Sequence, residues 1–307
     1  MKIYLSQINE SWIIDRIRDE WYQNNKDIST KFLIKSDIIW IISPWMWQKI
    51  PIRQLQKKKV ICSIYHIDLD DKNNFDLKNF EQLEPYVDQF HVISRKTRES
   101  LKKLTNKKIT SIPFWINQNN WFHIENKTSL RDEFGINQKK FLLGSFQRDT
   151  EGHDLISPKL IKGPDIFFKI VQDIFKRQKN LEVVLAGSRR QYLIKKLEES
   201  NIPFKYFEMA NIETLNKLYN MLDLYIVSSR LEGGPQSIVE CGITKTPIIS
   251  TNVGVAPEIL SSESIYENKD YKNAKPNIEY AYEKSKYLTI PNGMKEYIKL
   301  FTDIYEN

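Results

Sequence analysis

Two short apolar runs, LDLYIVSS at residues 222–229 and PIISTNVG at 247–254, flank the segment RLEGGPQSIVECGITKT. Both runs have the length and β-branched content of buried strands, and the segment between them reads as a Gly-Gly-Pro turn followed by a short helix. A strand–helix–strand unit of this kind builds a parallel sheet, because parallel neighbours need a crossover rather than a hairpin. Pro235 suits the first helical turn, where its missing N–H has no partner to lose. Gly233 and Gly234 let the backbone approach a ligand closely. The amides of Gln236 and Ser237 then point out of the helix start, an arrangement suited to a phosphate. Glu232 stands just before the turn, and Glu240 follows inside the helix.

Short apolar runs alternate with amphipathic ones along the rest of the chain, the signature of parallel sheets with crossover helices. Strands are expected at 2–6, 37–43, 60–67, 89–94 and 108–113, with a helix through Trp12, Ile13, Ile17 and Trp21 and a basic helix at 95–104. A polar stretch at 117–122 separates this series from a second one. That series has strands at 140–146, 181–186 and 204–207, and helices at 130–134, 164–177, 191–199 and around Leu215, Leu218 and Tyr219. The last helix is expected at 293–305. A length of 307 residues accommodates two such α/β domains.

Several function classes are disfavoured. No window approaches the apolar length of a membrane span, the start MKIYLSQINE lacks a signal-peptide core, and Cys62 and Cys241 both fall in elements expected to be buried. These features point to a cytoplasmic protein with reduced thiols. Residues 1–110 hold 20 Lys/Arg against 14 Asp/Glu, whereas the remainder is nearly balanced. A basic first half suits peripheral contact with an anionic membrane or a lipid-phosphate-linked acceptor, or it is an ordinary lysine-rich surface. No nucleic-acid motif accompanies it.

Glu232 and Glu240, set between two strands with the glycine turn and the following Gly254-Val255-Ala256-Pro257-Glu258, resemble the retaining nucleotide-sugar glycosyltransferases of the GT-B fold, in the GT4 class. The resemblance is clear from about residue 112 to 260. It implies an α/β protein of two Rossmann-like domains, with parallel sheets facing an interdomain cleft and a C-terminal helix crossing back. On that pattern residues 1–118 form an acceptor-binding domain, 119–290 the donor-binding domain, and 291–307 the returning helix. The implied activity is transfer of a sugar from a nucleoside-diphosphate sugar to a glycan or lipid-linked acceptor with retention of configuration. A non-catalytic nucleotide-sugar-binding protein and a GT-B nucleotide-sugar epimerase are the alternatives.

The resemblance also assigns residues. Gly144-Ser145-Phe146-Gln147-Arg148 and Lys162-Gly163 match the family's phosphate-facing loop, which makes Arg148 and Lys162 the cations for the leaving group. Such cations stabilise charge that develops on the departing oxygen. The intervening loop is longer than usual, and Lys159 is a possible substitute for Arg148. Glu240 would accept from the ribose hydroxyls, and Glu232 would hold the transferred sugar. Gly233, Gly234, Gln236 and Ser237 would cradle the diphosphate, and the base would lie beside Phe207, Glu208 and Met209. Many relatives have an aromatic–glycine pair where this chain has Gly234-Pro235. They also carry a glycine-rich loop where it has Gln7, Ile8 and Asn9.

His66, at the end of an expected strand, resembles the family's N-domain active-site histidine. Asp68, Asp70 and Asp71 imitate a metal-binding Asp-x-Asp. No metal or cofactor is expected, however, because protein cations and a helix end take that role in GT-B enzymes. All seven tryptophans lie within the first 121 residues. Trp45 and Trp47 follow a strand and are candidates for an acceptor platform, since aromatic faces stack on sugars.

Overall fold

The computed structural model describes residues 1–7, 13–68, 75–152, 154–267 and 270–307. Ile8, Asn9, Trp12, Asp70 and Asp71 lie outside the described residues. The chain divides into two compact units, Met1–Trp115 with Leu288–Asn307, and Ile116–Tyr287. Both divisions fall three residues before the sequence boundaries at 118 and 290. Trp115 is 2% exposed within the first unit, where its ring meets Tyr297 of the last helix at 5.2 Å, so it belongs to that core.

The first unit contains β1 (Ile3–Leu5), β2 (Ile38–Ile41), β3 (Lys59–Ile64), β4 (Gln89–Val92) and β5 (Lys108–Ser111), all parallel and hydrogen-bonded in sequence order. The run IIWII is apolar throughout because both faces of the sheet are covered. Ile38, Trp40 and Ile42 pack on one face with Ile17 and Trp21 of the helix Ile13–Asn24. Met294, Tyr297, Phe301 and Ile304 of the terminal helix Asn292–Glu306 join them there. Their spacing of three and four residues gives that helix one apolar stripe. Ile39 and Ile41 point the other way, toward Leu55, Phe80, Leu83 and Leu101. Most tryptophans are therefore core: Trp40 lies 5.3 Å from Tyr297 and 5.2 Å from Phe301, and Trp21 5.3 Å from Phe301, between ring centroids.

This core encloses a histidine. His91, in β4, is fully buried, and its Nε2 lies 2.8 Å from the Ile112 carbonyl, which only accepts, so Nε2 carries the proton. Nδ1 accepts from Ser63 Oγ at 2.8 Å, and that oxygen accepts from Trp40 Nε1 at 2.8 Å. A second proton on the ring would leave the Ser63 hydroxyl proton without its acceptor. Burial lowers the imidazole from its ordinary 6.5 to about 4. The unfolded chain therefore binds more protons here than the native one. The contribution is fully present above pH 6.5 and is lost as pH falls toward 4. Denaturant titrations are expected to show stability dropping by about 2 kcal/mol between pH 7.5 and 5 from this residue, a slope absent in His91→Gln.

The second unit contains β6 (Phe141–Ser145), β7 (Leu181–Ala186), β8 (Phe204–Phe207), β9 (Leu224–Val227), β10 (Ile248–Thr251) and β11 (Ile265–Tyr266), all parallel. Their order is β11-β10-β9-β6-β7-β8. The chain runs outward from β6 through β8, then returns to the opposite side of β6 with β9. The β6–β9 seam is thus a topological switch point, where the loops leaving the two strands part and open a crevice at the carboxyl ends. The helix Pro164–Arg177 buries Phe167, Ile170 and Val171 against Leu143, Val183 and Ile226. No helix among the described residues is long and apolar enough to cross a membrane.

Candidate functional site

The segment leaving β9 forms the turn before the helix Gln236–Thr244. Pro235 is the N-cap (φ −57°, ψ 115°), one residue outside the helix rather than in its first turn. No side chain caps this start, and the Ile238 amide is the first to bond, to the Pro235 carbonyl at 3.0 Å. The Gln236 and Ser237 amides have no backbone partner among the described residues. Orphan donors at the positive end of a helix attract anions. Gly254 (φ +48°) holds the turn from the other side: a Cβ there would come within 2.5 Å of the Gly233 carbonyl oxygen.

The loop after β6 reaches this turn from across the switch point. Residues 160–162 form a 3₁₀ turn ended by Gly163 at φ +62°. A Cβ on Gly163 would sit 1.8 Å from the Ser228 carbonyl oxygen, so the close approach of the two loops requires glycine. Arg230 ties the loops further, with bonds to both Asp165 oxygens at 2.8 and 2.6 Å and to the Leu160 carbonyl at 2.7 Å. Lys162 Nζ thereby meets Glu232 Oε1 at 2.6 Å. Ser229 Oγ lies 3.0 Å from the same carboxylate oxygen and 3.2 Å from Gln147 Oε1, and Gln147 Nε2 donates to the Lys162 carbonyl at 2.8 Å. One of the three ammonium hydrogens is used by Glu232, which leaves the others for an incoming anion.

Arg148 belongs to a neighbouring cluster and is outside that network. Its guanidinium is half-buried, and burial and then Arg189 lower its pKa, with Glu151 opposing. No ion pair joins it among the described residues. Arg189 has φ +59°, uncommon for a side chain of its size. Lys159 is paired with Glu151 at 3.3 Å. Beneath them Arg190, fully buried, donates through Nε to Asp149 at 2.8 Å and through Nη1 to the carbonyls of Ser145 at 2.7 Å and Ala186 at 3.0 Å. One guanidinium thus fastens the ends of β6 and β7, and it fixes the residue that follows Arg148.

Glu240 is 7% exposed and accepts from the Tyr219 hydroxyl at 2.9 Å. Burial, and secondarily Glu240, raise the Tyr219 phenol well above its ordinary value, so it stays a donor. Its ring is wedged against Phe146 at 4.8 Å and Tyr225 at 5.4 Å. Glu240 stands four residues after Gln236, on the same helix face. Beyond β8, Glu208 precedes a strained Met209 (φ +50°) that is 75% exposed. Tyr219, Ser229 and Arg189 neighbour the candidate residues Glu240, Glu232 and Arg148, and sequence reasoning missed them. Tyr219 looks like one more apolar position in an amphipathic helix, and the others carry no local signature.

In the first unit the two candidate tryptophans separate. Trp45 is 50% exposed, whereas Trp47 is 7% exposed and donates its indole N–H to Asn79 Oδ1 at 2.8 Å. They sit in the 3₁₀ segment Pro44–Lys49, whose three-residue repeat turns them to different sides. His66 is half-buried just past the end of β3.

Residues 156–299 match the family model for glycosyl transferases group 1, a span that includes Lys162, Glu232 and Glu240 and begins after Arg148. Among solved structures, HepE of Anabaena in complex with UDP-glucose aligns at a TM-score of 0.77 and 11% identity, covering 98% of this chain and 99% of that one. Sucrose-phosphate synthase from Thermosynechococcus elongatus aligns at 0.71 and 12% identity, over 98% and 81% of the two chains. A glycosyltransferase from Rickettsia africae aligns at 0.67 and 15% identity, over 98% and 84%. None of the curated proteins matches the sequence. The two parallel-sheet units have the GT-B fold.

Proposed function

We propose that this chain is a nucleotide-sugar-dependent glycosyltransferase that retains anomeric configuration, with its donor site at the switch point of the second unit. The observation that carries the reading is the Lys162–Glu232 pair beside a helix start with two unclaimed amides. In this reading the diphosphate lies over Gly233 and Gly234 against the amides of Gln236 and Ser237, and Glu240 accepts from the ribose. The base stacks near Glu208 and Met209. Lys162 and Arg148 stabilise the departing phosphate oxygen, and Glu232 binds a hydroxyl of the transferred sugar. The acceptor oxygen attacks from the side the phosphate leaves and passes its proton to that phosphate. No covalent enzyme intermediate or metal is invoked. His66 and Trp45 of the first unit serve a glycan or lipid-linked acceptor.

UDP-sugars are the first donors to try, since HepE was solved with UDP-glucose. Saturating UDP is expected to raise the unfolding midpoint, because a ligand of the native state alone stabilises it by mass action. Glu240→Ala should weaken UDP binding by about 10- to 100-fold, the worth of hydrogen bonds to a charged acceptor. Calorimetric titration of both proteins with UDP, and with GDP and ADP as controls, decides it. Undiminished nucleotide affinity in the variant would refute the placement of the ribose.

A further inference from the structure

The loop between the helix Ile13–Asn24 and β2 carries two large apolar side chains into solvent. Ile34 is 82% exposed, more than any other large apolar side chain among the described residues, and Phe32 is 65% exposed. Leu33, between them, turns inward and packs against the core cluster that holds Ile39 and Leu55. The loop is nevertheless fixed. In the 3₁₀ turn Leu33–Lys35 the Lys35 amide donates to the Phe32 carbonyl at 3.0 Å, and the Ser36 amide to the Leu33 carbonyl at 3.2 Å. Ser36 Oγ donates to the Leu33 carbonyl at 2.8 Å, and Lys58 Nζ to the Ile34 carbonyl at 3.2 Å. All three carbonyls at the tip therefore have partners inside the protein. A loop facing water has no need of this, whereas a tip that enters hydrocarbon does, because an unmet backbone group is costly there.

The surroundings of the tip are cationic. Lys31 and Lys35 are exposed on either side of it, and Lys57 is exposed next to the Lys58 that clamps the loop. Lys35 Nζ lies 5.1 Å from the centre of the Phe32 ring. None of Lys31, Lys35 and Lys57 has an ion pair among the described residues. Asp37, at the foot of the loop, is occupied by the chain's amino terminus at 3.7 Å and by the Lys2 amide at 2.7 Å. Part of the cation surplus of residues 1–110 is thus gathered around two protruding apolar groups. Lysine stems lie along apolar surface while their ammonium groups reach for water or phosphate. A merely acidic partner would satisfy the lysines and leave Phe32 and Ile34 without an apolar seat. A lipid layer with anionic headgroups satisfies both. The tip stands before β2, at the amino ends of the strands, so it can be covered while the carboxyl ends of the first sheet stay open.

We propose that the loop at residues 30–36 docks the first unit on an anionic lipid surface, with Phe32 and Ile34 in the acyl boundary and Lys31, Lys35 and Lys57 among the headgroup phosphates. The proposal requires nothing of the donor site. Co-sedimentation of the full chain with vesicles tests it, comparing phosphatidylcholine alone with an equal mixture of phosphatidylcholine and phosphatidylglycerol. The chain is expected to bind the mixed vesicles, to bind the neutral ones much more weakly, and to be released by salt. The double variant Phe32→Ser, Ile34→Ser is expected to weaken binding to mixed vesicles by at least about 30-fold, the value of two partly inserted apolar side chains. The double variant Lys31→Gln, Lys35→Gln should weaken it by about 25-fold, close to fivefold for each charge at the membrane surface. All four side chains are exposed, so both variants should keep the wild-type unfolding midpoint, and a circular-dichroism melt verifies that they are folded. No binding to mixed vesicles, equal binding to neutral ones, or undiminished binding in the folded Phe32, Ile34 variant would overturn the proposal. Competition with polyglutamate separates a lipid surface from an acidic protein. Polyglutamate that binds as tightly as the vesicles, and loses affinity in both variants, would assign the loop to a protein partner and overturn the lipid assignment.

Discussion

Alanine in place of Lys162 is expected to lower kcat/KM for sugar transfer by about 10²–10³-fold, the usual loss when one preorganised donor to a developing oxyanion is removed. The loss should fall mainly on kcat, because charge accumulates on the phosphate oxygen as the bond to the sugar breaks and the ammonium is worth most then. Lys162 is well suited to this. Gly163 pins its backbone against Ser228, Glu232 holds its ammonium at 2.6 Å, and its side chain is 27% exposed. Lys162→Arg should recover only part of the rate, since a planar guanidinium does not reproduce a compact ammonium in that slot. Folding should survive the alanine variant, because Glu232 keeps its bond to Ser229. Steady-state kinetics with a turned-over donor gives the answer, and wild-type kcat in Lys162→Ala would remove the leaving-group assignment.

Asp149→Ala should cost about 3–5 kcal/mol, because it leaves the guanidinium of Arg190 buried and without its counter-charge. That is a large share of the roughly 5–15 kcal/mol that holds a typical domain together. Burial pushes the Asp149 carboxyl above its ordinary value, with Arg190 opposing, so the pair is held at some desolvation cost. Its value lies in fixing geometry: Arg190 joins the ends of β6 and β7, and Asp149 also accepts from the Tyr192 amide at 3.2 Å. Asp149→Asn retains an acceptor and should lose less. Native-state hydrogen exchange of the β6 and β7 amides reads the effect directly. Protection unchanged in Asp149→Ala would show that the guanidinium finds other partners.

The parts of this architecture legible in the sequence are those written in local periodicity. The run IIWII, the stripe Ile166–Phe167–Ile170–Val171 and the strand–turn–helix around Gly233 each announce themselves within a dozen residues. Strand order does not, because nothing in β1 to β5 states that they pair in sequence order. Lys162 and Glu232 each stand in a recognisable local pattern, yet their contact spans seventy residues and depends on Gly163, whose role appears only when Ser228 lies against it. Arg189 and Arg190 look alike as neighbours, and only the fold buries one on Asp149 and leaves the other partly exposed beside Arg148. Trp45 and Trp47 look like a pair in the sequence, which does not show the 3₁₀ turn that parts them.

The first unit is built from both ends of the chain, and the second from an unbroken middle. On the ribosome, residues 116–287 emerge complete and can close while the opening strands still lack Tyr297 and Phe301 against Trp21 and Trp40. The half that is born first is therefore finished last. A nascent chain halted before residue 288 would carry a closed second unit tethered to a greasy, unsealed first one, the kind of surface that chaperones recognise.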